Sequence, residues 1–133
     1  MACGTYDSYI SAIQEGDIDV TSDIFKVILI DTADYTFDAA DDFLSDIPAA
    51  ARVATATLAN VAIVGRAFDA DNVTFTAVTG DESEAFVIYK DTGTEGTSQL
   101  ILYSDDATNL PVTPNGGDIT MTWDSGTDRI FSL

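Results

Sequence analysis

The chain has no histidine, one cysteine, three prolines and only five basic residues against twenty-three acidic ones. Each shortage excludes a class of function. Without imidazole there is no ordinary general base for a Ser or Cys nucleophile, and no neutral nitrogen ligand for zinc. The pattern Gly-x-Ser-x-Gly is missing. The single Cys3 can form neither an internal disulfide nor a thiolate cluster, so the fold does not depend on an oxidising compartment. The basic residues Lys26, Arg52, Arg66, Lys90 and Arg129 are scattered, and the formal net charge is −18. No cationic face exists to displace counterions from nucleic acid or to hold an anionic membrane. No basic start with an apolar run opens the chain, so the expectation is a protein made in the cytoplasm and staying soluble. Apolar runs such as Val61-Ala62-Ile63-Val64 are too short to span a bilayer.

What is present is a core. Of 133 residues, 46% are hydrophobic, with seven Phe and five Tyr, enough for one ordinary domain over 1–133. Tyr6, Tyr9, Ile10 and Ile13 recur at helical spacing, Thr5 can cap the start and Gly16 the end, predicting a short helix over about 5–15. The run 24–30 is β-branched and almost wholly apolar, as in a strand buried on both faces. A polar connection follows, with a helical turn expected over 39–44. Further strands are expected at 51–58, 61–64, 73–78, 85–90, 100–103, 119–123 and 130–133, separated by Gly, Asn and Pro. Short strands at this spacing predict an all-β fold, an antiparallel β-sandwich of jelly-roll or Ig-like type, with the short N-terminal helix.

Chemistry is sparse. Lys26 and Lys90 lie within ordinary strands and read as strand-edge or solvent-facing cations. Pairs of carboxylates carry no specificity among twenty-three acids. No cofactor is expected; a structural calcium ion is the one candidate ligand, with Asp69, Asp71 and Asn72 as its oxygen donors, although no EF-hand loop is matched. The clusters Asp38-x-x-Asp41-Asp42 and Asp105-Asp106 read the same way or as turn caps. Tyr35, Phe37, Phe43, Tyr103 and Trp123 are candidate platforms for sugar rings, with the core as the competing place for Trp123.

Several blocks then fall in a recognisable order: Gly16-Asp17-Ile18-Asp19, Asp23-Ile24-Phe25-Lys26-Val27, Tyr35-Thr36-Phe37-Asp38, Val87-Ile88-Tyr89-Lys90-Asp91, and Leu110-Pro111-Val112-Thr113-Pro114-Asn115-Gly116-Gly117. With the terminal Ile130-Phe131-Ser132-Leu133, this pattern resembles a family of small virion structural proteins of tailed bacteriophages. Pro48-Ala49-Ala50-Ala51-Arg52 is shorter than the Gly-rich loop expected there. The resemblance implies a non-enzymatic particle component. The first expectation is a capsid decoration (cement) protein on the outer surface of the virion, homotrimeric and bridging copies of the major capsid protein. A tail, neck or fibre component, or a carbohydrate-binding adhesion module, is the alternative. Tyr6, Tyr9, Ile10, Ile13, Ile130, Phe131 and Leu133 are the expected intersubunit contacts, as an apolar stripe and an apolar terminus.

Overall fold

A computed structural model describes residues 3–105, 107, 110–123, 126 and 129–132. Its centre is β2 (Ile24–Ile30), which pairs antiparallel along its whole length with β7 (Ala85–Asp91). β3 (Arg52–Thr57) adds on one side of β2. On the other side of β7 lie β8 (Leu100–Ser104) and then β1 (Cys3–Thr5), giving a five-stranded antiparallel sheet in the order β1-β8-β7-β2-β3. The apolar runs of β2, β7 and β8 follow from this placement, because both faces of the sheet are covered.

Alternate residues of β2 feed two cores. Phe25, Val27 and Leu29 join one cluster, and Ile28 and Ile30 join the other. The first face is covered by two small antiparallel sheets. One runs β10-β5-β4, from β10 (Phe131–Ser132), β5 (Ala67–Asp69) and β4 (Ala62–Val64). The other pairs β6 (Val73–Phe75) with β9 (Ile119–Met121). Helix α1 (Asp7–Glu15) adds Tyr9 to the same cluster. Each fully buried Ile, Leu or Phe here stabilises the fold by about 1.5–3 kcal/mol. The chain is therefore all-β, with antiparallel sheets and one short helix.

The second face is covered by the connection after β2. Tyr35, Leu44, Ile47 and Ala51 pack there on Ile28, Ile30, Val87 and Tyr103. The expected helical turn over 39–44 is replaced by a short 3-10 turn, Leu44–Asp46. Side chains take the backbone N–H groups a helix would use: Asp38 accepts from Ala40, and Asp46 accepts from Asp42 and Phe43. The Arg52 guanidinium closes this layer by donating to the carbonyls of Leu44 and Ile47.

Two other boundaries differ from the sequence reading. The strand expected over 73–78 stops at Phe75, because Ala77 turns into the left-handed region with φ of 51° and donates its N–H to Asp118. The helix begins at Asp7, not Thr5. Tyr6 is extended, with φ −76° and ψ 147°, and donates its N–H to the Ile101 carbonyl of β8. Tyr6 thus belongs to the sheet edge and leaves the helical stripe.

Candidate functional site: an apolar cleft beside an exposed edge strand

The end of α1, the loop after it, the β4–β5 hairpin and β10 enclose a cleft of about 360 Å³. Gly16, at φ of 80°, ends the helix and turns its N–H back to the Ala12 and Ile13 carbonyls. The chain then folds over the sheet. Asp19 accepts the Thr21 N–H at 2.9 Å, and Lys90 ties the loop down by donating to the Asp17 carbonyl and pairing with Asp23 at 3.3 Å. This brings Ile18 and Val20 opposite Ile63 and Phe68. The floor is aromatic: Phe68 stacks on Phe131 with centroids 5.2 Å apart, and Phe131 meets the edge of Tyr9 at 5.7 Å.

Among the described residues, no carboxylate lines this cleft and Arg66 is its one charged residue; the Tyr9 hydroxyl is pushed above its ordinary range by burial. The arrangement can bury apolar surface and pair one anion; it holds no acid–base pair. Ile13 and Ile63 stand at 39% and 49% exposure in its walls, high for large apolar side chains.

The structure sorts the expected contact residues. Tyr9, Ile13 and Phe131 come together in the cleft. Tyr6, Tyr9 and Phe131 are, however, buried within this chain, so their side chains are core and not free intersubunit surface. Tyr6 lies in the other core, its ring edge against Phe37 and its hydroxyl 2.9 Å from that of Tyr35. Ile10 and Ile130 are half-buried against the first core, and Leu133 lies outside the described residues. Among the described residues of the set, only Ile13 offers a large exposed apolar surface. Ile63, Val64 and Arg66 were not expected there; three exposed residues in a short β4–β5 hairpin give no periodic signal.

Each of the proposed cation donors has a partner within the chain. Asp69 faces Arg129 at 3.5 Å, Asp71 accepts from the Asn60 amide, and the Asn72 side-chain oxygen accepts the Trp123 N–H at 3.0 Å. These three residues hold turns and the final strands in place. Among the described residues, the carboxylates that do approach, within 4.8 Å, are Asp31, Asp34 and Asp81. Asp31 and Asp34 share the turn after β2 and Asp81 comes from a loop distant in sequence, so no local motif reveals the group, and an acidic cluster alone does not make a cation site. Of the aromatic candidates, Phe43 is half-buried at the start of the 3-10 turn. Phe37 stacks on Tyr103 at 5.0 Å, Trp123 packs on Phe86 at 5.3 Å and donates its indole N–H to the Asp71 carbonyl, and Tyr35 is buried. Lys26 pairs with Asp91 at 3.2 Å, as a strand-borne surface cation would.

All five tyrosines share one electrostatic state. Burial, first of all, pushes the phenols of Tyr6, Tyr9, Tyr35, Tyr89 and Tyr103 above their usual value near 10. Tyr35 also donates to Asp41 at 2.8 Å. The folded chain therefore keeps protons that the unfolded chain releases above pH 10, so stability holds below that pH and falls as pH rises past it. The fully buried Tyr6 alone contributes a slope of about 1.4 kcal/mol per pH unit. Phenolate absorbance is expected to rise together with loss of the far-UV β signal, in one transition. Gradual phenolate formation near pH 10 with the fold intact would contradict the burial.

Among the described residues, no helix is long and apolar enough to cross a membrane. No protein-family model matches the chain, and no curated protein sequence matches it.

Proposed function

We propose that this chain is a non-enzymatic structural protein of a tailed-bacteriophage virion, a capsid decoration protein that lies on the outer shell and bridges neighbouring capsid subunits. The observation that carries this reading is the cleft: an apolar recess with no carboxylate among the described residues, flanked by exposed Ile13 and Ile63, on a chain that has no histidine. Such a surface suits association and lacks the groups for turnover. The virion assignment itself rests on the order of sequence blocks that resembles the phage family. In this role the fold is a sandwich: the large sheet forms one layer and the two small sheets form the other, sharing one core through Phe25, Phe68, Phe75 and Met121. The excess of acidic residues suits an outward face, away from packaged DNA.

Each copy contributes a small contact, an apolar side chain of a capsid subunit seated in the cleft, and many copies together stiffen the shell. The test is cosedimentation with heads of the encoding phage assembled without this protein. Saturable binding, with heads that then survive higher temperature, is expected. Absence of binding at micromolar concentration, or binding only to isolated tails, overturns the head assignment.

A further inference from the structure

We propose that the cleft is a binding site for a single-chain fatty acid, with the alkyl tail among Ile18, Val20, Ile63 and Phe68 and the carboxylate held by Arg66. Val64 pairs with Ala67, so Gly65 and Arg66 form the two-residue turn of the β4–β5 hairpin, and Gly65 takes a positive φ of 65°. The turn sets Arg66 in the cleft wall as an exposed side chain. The other four basic residues are held in ion pairs within the chain, Lys26 with Asp91, Arg52 with Glu95, Lys90 with Asp23 and Arg129 with Asp69. Among the described residues, the Arg66 side chain meets no acid and no hydrogen-bond acceptor. A second donor in the recess is in the same condition. Tyr9 is 2% exposed and lines the cleft, and its hydroxyl bonds to no described residue. Burial keeps that hydroxyl protonated, as a donor.

These two groups and the walls around them select the ligand. A buried donor without an acceptor costs free energy that an incoming acceptor recovers. Among the described residues no carboxylate lines the cleft, so the acceptor must come with the ligand. A carboxylate has two oxygens to offer an arginine fork and a tyrosine hydroxyl. The rest of the wall is aliphatic and aromatic, which an alkyl chain meets without leaving a polar group unpaired. A peptide would instead bring amides into a recess whose described lining has no further polar side chain to meet them. The volume of about 360 Å³ lies near the lower end of the range for ligand pockets, about 300–1,000 Å³, and suits one tail, not a two-tailed lipid. The net charge of −18 repels an anion at a distance, but at physiological salt that field is screened beyond about 8 Å, and contact with Arg66 decides. The site stands on the isolated chain, without the virion reading; under that reading the acid and the capsid side chain exclude one another from the same recess.

Titration of the intact chain with decanoate, followed by NMR, is expected to saturate one site before micelles form, with the largest shifts at Ile18, Val20, Ile63 and Arg66. From hexanoate to decanoate, each added methylene should tighten binding about threefold to fourfold. Arg66→Gln is expected to weaken decanoate about fivefold and to leave decyl alcohol, which carries the same tail without the charge, unchanged. The Arg66 side chain bonds to no described residue, so this variant should melt as the parent does. Tyr9→Phe keeps the ring against Phe131 and should weaken decanoate about threefold. Shifts that do not saturate before micelles form, or that centre away from the cleft, overturn the proposal. So do an affinity independent of tail length, a decanoate affinity that Arg66→Gln leaves unchanged, and an equal loss for the acid and the alcohol.

Discussion

Replacing Tyr9 with Asp is expected to unfold the protein, whereas the same replacement at Ile13, one helical turn on, is expected to leave it folded. The two residues share a helix and a stripe, but not an environment. Tyr9 is 2% exposed, with its ring against Phe131 and within a cluster that draws on every layer of that face. Removing a buried aromatic ring costs about 3–5 kcal/mol. A carboxylate left there without a cation adds several kcal/mol more, or must stay protonated. Together these reach the whole stability of an ordinary domain, about 5–15 kcal/mol. Ile13 is 39% exposed in the last turn of α1, and its substitution is expected to cost less than about 1 kcal/mol, including the mild penalty of an anion near a helix C-terminus. Calorimetry on both variants reads the contrast. A cooperative transition for Tyr9→Asp near that of the parent would contradict the assignment of Tyr9 to the core.

Because Ile13→Asp should fold, it isolates the cleft. In the proposed decoration role, it is expected to weaken binding to bare phage heads by about a hundredfold, roughly 2.7 kcal/mol. The carboxylate would sit at the mouth of a recess whose other large exposed wall residue is Ile63, where an incoming apolar side chain must strip its water without returning a partner. Ser11→Asp places the same charge at an exposed position of α1 outside the cleft lining, and is expected to bind as the parent does. Equal losses from both variants would mean that bulk charge, and not the cleft, governs docking.

The architecture was legible where hydrophobic pattern alone decides it. The apolar run of β2 announced a strand covered on both faces, and its register with β7 along all of its residues bears that out. Gly16 marked the end of α1 correctly. The misplacements have local causes. Tyr6 fits a helical stripe by spacing, yet its backbone is claimed by β8; periodicity cannot see a competing strand edge. Asp38 and Asp46 convert an expected helical turn into 3-10 and Asx geometry. The site was only half legible. Tyr9, Ile13 and Phe131 were singled out and do meet, but as two core residues and one exposed wall. Ile63, Val64 and Arg66 stayed hidden because exposure of an apolar hairpin is a tertiary fact: it depends on β4 lying at the end of its sheet. Asp69, Asp71 and Asn72 are close in sequence, but each side chain has a separate structural partner.

The most direct measurement of the proposed virion role is to look for the protein on phage particles. Gold-labelled antibody raised against the recombinant chain, applied to intact virions of the encoding phage, is expected to decorate the head surface evenly and in many copies. Label confined to the tail or neck, or no label on particles whose heads are shown by mass spectrometry to lack the chain, would contradict a capsid decoration role.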